Sequence, residues 1–160
     1  MNQNNGAGVV LVTFFVGYVL SAMSLPEGLD QARPAWIALL VIYWVMAIPH
    51  RLGVLVSWCV GLIMDVLLGD VLGQHALALA LIAYITYVLH LRIRVFPVWQ
   101  QCLSIFILVG SYQLIILMIQ RMVSVSNWTM WYWLPVVTSA LVWPWMMVLL
   151  RSLRRRFNIY

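Results

Sequence analysis

Asp65 is the one ionisable residue that falls well inside an apolar run of this sequence, four residues before Gly69. A carboxyl group in that position has two uses. It can carry a proton or contact a ligand, or it can act as a buried tie between helices, because an acid in hydrocarbon faces the protein interior and takes a partner. The short turn that follows is centred on Asp70, and His75 lies as far beyond it as Asp65 lies before it, so antiparallel neighbours would hold the two at similar depth. Arg33 and Arg121 are competing partners. A proton path would want further acids deeper in the apolar runs, and the sequence has none; that favours the tie.

The spacing around the acid is regular. Gly61, Asp65, Gly69 and Gly73 recur every four residues and would share one face of a continuous helix, although the turn interrupts the last interval. Small residues at this spacing let helix backbones approach closely in lipid, where packing replaces the hydrophobic drive. Ala76, Ala80 and Ala83 make a matching stripe on the following run. Further along, Gln113 is the deepest amide, with an interhelical hydrogen bond worth roughly 0.6 to 2 kcal/mol as its expected use.

Other chemistry is scarce. Cys59 and Cys102 fall in separate runs without a Cys-x-x-Cys spacing, which gives little support to a disulfide or a thiolate metal site. His50 and His90 fall at one side of the runs and His75 at the other, so they form no cluster. There is no Gly-x-Ser-x-Gly, His-Glu-x-x-His, P-loop or hydrolytic carboxylate pair. The expectation is a protein that is not an enzyme, with no catalytic residue, no metal and no cofactor.

The elements that must position these residues follow from composition. The chain has 160 residues, of which 65% are hydrophobic and 8% charged, and its mean hydropathy is +0.99. A soluble domain carries roughly 25% charged residues. These values exclude a cytosolic enzyme, a disordered chain and a secreted disulfide mini-protein. The net charge of +5 does not point to nucleic acid, because the basic residues are scattered between apolar runs. An all-α integral membrane protein remains, since a bilayer forbids unpaired backbone and these runs lack the alternation of barrel strands.

Six runs are expected to span, over 8–25, 35–48, 52–69, 72–91, 98–120 and 128–150, as a single transmembrane domain over 1–160 with no soluble domain. The second run is the weak one. Its 14 residues between Pro34 and Pro49 cover about 21 Å as a helix, against a hydrocarbon core of ~30 Å. It must borrow flanking residues, thin the bilayer or sit inside the bundle. The first run follows a tail without basic residues and precedes no convincing cleavage site, so it reads as a retained helix.

Six spans put both termini on one side. With that side cytoplasmic, Arg51, Arg92, Arg94, Arg151, Arg154, Arg155 and Arg156 are inner, and only Arg33 and Arg121 are outer. Glu27, Asp30 and Asp70 fall outside. A five-span alternative, with the second run not crossing, would place Arg51 outside and separate the termini. The run Arg151, Arg154, Arg155 and Arg156 reads as a cytoplasmic anchor attracting anionic lipid, with partner docking as the alternative. Trp128, Trp131, Tyr132 and Trp133 read as an aromatic belt at the outer interface.

Several strings then carry a resemblance together: Arg33-Pro34-Ala35-Trp36, Tyr43-Trp44 leading to Pro49-His50-Arg51, the run from Gly61 through Asp65 to Gly69, Leu72-Gly73-Gln74-His75-Ala76-Leu77, Trp99-Gln100-Gln101, and Leu141-Val142-Trp143-Pro144-Trp145 ahead of the basic end. In order, spacing and length the chain resembles the rod shape-determining MreD family of Gram-negative bacteria, from about residue 33 to 157. The resemblance implies a multi-pass inner-membrane component of the cell-wall elongation machinery. It implies action with MreC, and with MreB, RodZ and the RodA polymerase with its transpeptidase partner. It also implies a six-helix fold similar to the substrate-binding subunits of energy-coupling-factor transporters. Asp65, Gly69 and Gly73 match the family pattern, where their role reads as structural. A small-solute-binding transporter subunit is the alternative function, weakened because the first run offers only Gly17-x-x-x-Ser21 where those subunits carry an Ala-x-x-x-Ala stripe.

Overall fold

The computed structural model describes residues 3–23, 32–123 and 130–157, with side chains from Gly6 onward in the first segment. The described residues form six α-helices and no strand: α1 (Gln3–Ala22), α2 (Trp36–Ala47), α3 (Val54–Leu68), α4 (Gln74–Val95), α5 (Val98–Val123) and α6 (Leu134–Arg156). A 3-10 turn, Met130–Trp133, leads into α6. Glu27, Asp30 and Trp128, which bear on the reading of the outer side, lie outside the described residues.

Helix α2 is the centre of the bundle. All ten residues from Ile37 to Met46 are buried, and the helix packs against α1, α4, α5 and α6. A helix apolar on every side has no polar face to turn outward, so it is stable only when surrounded. This accounts for its shortness. Twelve residues make about 18 Å, and a helix walled off from lipid has no need to match the bilayer's thickness.

The surrounding helices bury one stripe each. On α3 the buried residues are Ser57, Val60, Gly61, Met64 and Asp65, spaced three and four apart as a single helical face requires. On α6 they are Val136, Ser139, Trp143, Met146 and Leu150, in the same rhythm. The opposite faces carry exposed Leu55, Val66, Val88, Leu91, Trp145 and Val148. Such an apolar exterior suits a hydrocarbon solvent. Three of the helical stretches, Gln74–Val95, Val98–Val123 and Met130–Arg156, are long and apolar enough to cross a membrane. The apolar helices in the first half of the chain are shorter.

Helix ends carry N–H and C=O groups that the helix itself leaves unmatched, and here neighbouring elements supply the partners. The Arg33 guanidinium donates to the carbonyls of Ser21 and Met23 at the end of α1. The backbone N–H of Ala35, just before α2, donates to Ser139 Oγ of α6 at 2.9 Å. Within the bundle, Trp44 Nε1 donates to Thr13 Oγ1 at 3.0 Å and the Tyr18 hydroxyl to the Val60 carbonyl at 2.6 Å.

Candidate functional site

The junction of α3 and α4 holds the most concentrated polar chemistry of the described residues. Asp65 is 1% exposed. Its Oδ2 accepts from the backbone N–H of Gly73 at 2.8 Å and of Ala76 at 3.4 Å. Its Oδ1 accepts from the N–H of His75 at 2.9 Å and meets the His75 ring Nδ1 at 2.8 Å. Since a carboxylate oxygen only accepts, that contact requires the hydrogen on Nδ1. The carboxylate therefore acts as the N-terminal cap of α4 while standing on α3, and the partial positive charge of a helix start favours it there.

The turn makes this reach possible. Gly69 (φ 69°) closes α3 in the left-handed conformation, and the N–H of Asp70 returns to the Asp65 carbonyl at 3.2 Å. This is the 6→1 bond of a Schellman ending. Gly73 (φ 97°) then turns the chain into α4. Both positions need a residue that tolerates positive φ.

Gly61 sets the distance between the helices. A Cβ on it would stand 2.3 Å from Ala76 Cα and 2.5 Å from Ala76 N. Backbone atoms cannot move aside as a flexible side chain can, so only glycine allows the approach that brings Asp65 to the start of α4. Of the small stripe on α4, Ala76 and Ala83 are buried and Ala80 is half-buried.

The competing partners of Asp65 are elsewhere: Arg33 serves α1, and Arg121 lies in the last turn of α5. Gln113 and Tyr132 pair reciprocally, Nε2 donating to the Tyr132 carbonyl at 3.1 Å and the Tyr132 hydroxyl to the Gln113 carbonyl at 3.3 Å. Cys59 on α3 is exposed and Cys102 on α5 half-buried. Arg151 and the last-turn residues Arg154, Arg155 and Arg156 sit at the far end of α6.

Sequence reasoning overlooks two glutamines. Gln74, first residue of α4, is 1% exposed and neither polar atom of its amide has a partner. It lines a cavity of about 240 Å³ together with Arg33, Asp70, His75, Tyr112 and Tyr132. His75 lines this cavity and Asp65 does not. Gln101, in the first turn of α5, donates from Nε2 to the carbonyls of Ile93 and Phe96, both at 3.1 Å, and so closes the end of α4. Its nearness to Pro97, which cannot continue α4, is the signal that could have marked it.

On the outside of the bundle, α1, α2 and α6 enclose a groove of about 520 Å³. Val12, Val16 and Leu20 of α1 form one wall, and Trp145, Leu149 and Leu153 of α6 the other.

The family model for "rod shape-determining protein MreD" matches residues 2–153. The chain belongs to the MreD family. The rod shape-determining protein MreD of Haemophilus influenzae is 32% identical over 151 residues, covering 94% of this chain and 93% of that relative. No solved structure matches, and the expected likeness to energy-coupling-factor subunits is not shown. MreD-family membership gives the chain a role in rod shape determination, and its three span-capable helices agree with a membrane protein. The match takes in the whole α3–α4 junction and nearly all of α6.

Proposed function

We propose that this chain is a membrane scaffold of the wall-elongation complex, and that the groove between α1 and α6 receives the single transmembrane helix of MreC. The groove carries this reading. It is lined almost wholly by apolar side chains, it faces outward, and at helix spacing Val12, Val16 and Leu20 present a continuous ledge for the i, i+4 ridges of another helix. In this reading the groove positions the outer domain of MreC and so helps direct peptidoglycan synthesis, the inner face meets the cytoskeletal members MreB and RodZ, and the RodA polymerase and its transpeptidase partner act in the same assembly. Catalysis has no part in it.

All six helices cross the inner membrane in this proposal, with both termini cytoplasmic. The inner excess of arginines supports that orientation, and α2 crosses inside protein instead of lipid. Gly61, Asp65, Gly69, Gly73 and His75 then have a structural role, holding α3 and α4 in the register on which the bundle depends, with Ala76, Ala80 and Ala83 as the facing surface. Arg151, Arg154, Arg155 and Arg156 anchor the inner end against anionic lipid.

The test is co-purification from detergent-solubilised membranes. MreC lacking its transmembrane helix should not be retained, and filling the groove with Val16→Trp and Leu149→Trp should lower retained MreC about tenfold, the effect of losing one interface hot spot. Leu55→Trp, at an exposed position on α3, should leave it unchanged. Undiminished association of the helix-less MreC would overturn the proposal.

A further inference from the structure

The cavity of about 240 Å³ at the α3–α4 end of the bundle is lined by the start of α2 as well as by the start of α4. Helix α2 begins without a cap. Its N-cap residue is Ala35, whose side chain has no acceptor to offer, and its first turn holds no acid. The Ala35 N–H donates to Ser139 Oγ, and those of Trp36 and Leu39 donate to the carbonyls of Pro34 and Ala35. Among the described residues this leaves the N–H groups of Ile37 and Ala38, the second and third of the helix, without an acceptor. They are the two that a capping side chain normally takes. Both residues are 1% exposed, and both line the cavity.

Gln74 shares this space. It is buried, it lines the same cavity, and neither Oε1 nor Nε2 of its amide has a partner. Helix packing has no use for an amide there, since an apolar side chain of the same length would fill the volume without burying two unmatched polar atoms. The cavity therefore holds two backbone donors at the positive end of a helix and a neutral group that can both donate and accept. The Arg33 guanidinium, which also lines it, donates to the carbonyls of Ser21 and Met23.

We propose that this cavity binds a carboxylate with an N–H group on the neighbouring carbon, its oxygens accepting from the N–H groups of Ile37 and Ala38 and its N–H donating to Gln74 Oε1. Anions collect at helix starts because oriented N–H groups and the helix dipole meet there. A carboxylate suits this start better than a phosphate. Two open N–H groups match two oxygens, whereas a phosphate brings more oxygens and up to a second negative charge into a cavity that Asp70 also lines. A volume of about 240 Å³ lies below the roughly 300–1,000 Å³ of drug-sized pockets, which limits the bound part to a small group. The ligand class is an α-amino or α-acylamino carboxylate, either a free amino acid or the C-terminal residue of a peptide. The site does not rest on what fills the groove between α1 and α6.

The experiment titrates the full chain in detergent with alanine, N-acetylalanine and N-acetylalaninamide by calorimetry. Binding of alanine identifies a free amino acid as the source and binding of N-acetylalanine the end of a peptide; either supports the site. N-acetylalaninamide, which lacks the carboxylate, should bind at least about tenfold more weakly, the effect of losing a charge-assisted contact. That comparison is made on the unsubstituted protein and is independent of how any variant folds. Ala35→Asp gives α2 a carboxylate cap of its own, so it should raise the thermal midpoint and weaken probe binding at least about tenfold. Gln74→Met should weaken binding about fivefold while leaving the protein without probe at least as stable, because an unmatched buried amide is removed. Gln100→Met, outside the cavity, should change binding less than about twofold. Failure of every probe to bind would make water the occupant; that result, equal binding of acid and amide, or undiminished binding by Ala35→Asp would overturn the site.

Discussion

Helix α4 is closed at both ends by a side chain from a neighbouring helix, and the two closures use opposite chemistry. At its start, the Asp65 carboxylate of α3 gathers three backbone N–H groups and an imidazole. At its end, the neutral Gln101 amide of α5 gathers two carbonyls. Helix polarity explains the choice. The first turn offers donors and partial positive charge, which one anion with two oxygens satisfies; the last turn offers acceptors, and there Arg92 and Arg94 already supply positive charge. The buried carboxyl group thus stands where three backbone donors and one imidazole converge on it.

The carboxylate end breaks most completely at Gly61. Gly61→Val drives a side chain into the backbone of Ala76, and the expected loss exceeds about 4 kcal/mol, the range reserved for failures of core geometry. Little folded protein should be recovered from membranes, and wild-type recovery would mean that the helices can separate without cost.

Next comes Asp65→Ala, which leaves the Gly73, His75 and Ala76 donors unmatched. The expected cost is about 3 kcal/mol, read as a lowered thermal midpoint in detergent and lower abundance in cells. Asp65→Asn keeps one accepting oxygen and should recover part of the loss. If abundance held while cell shape failed, the residue would have a role beyond packing.

Gln101→Met, nearly the same size, should cost least, about 1 to 2 kcal/mol for two carbonyls losing a neutral donor. A loss equal to that of Asp65→Ala would end the distinction between the two ends of α4.

The legibility of the site in the sequence follows the same division. The nearness of Asp65 and His75 comes from counting residues about one short turn, because local geometry fixes it. That most of the donors to Asp65 are backbone groups is not legible, since every residue but proline carries the same N–H. Gln101 and Gln74 go unread in the sequence, because burial depends on which helix arrives opposite. Arg33 reads as a partner for Asp65 because charge attracts charge; the structure gives it the carbonyl end of α1, which sequence distance does not reveal. The shortness of α2 is plain in the spacing of Pro34 and Pro49, whereas its central place needs all its neighbours.

That central place has a consequence for how the chain is made. A ribosome releases α2 early, yet the N–H of Ala35 finds its acceptor only in Ser139, 104 residues later. Until α6 has emerged, the intermediate carries an apolar rod too short for the bilayer and open along one side. Since α6 is one of the helices that cover α2, a chain that stops after α5 leaves part of its central helix uncovered.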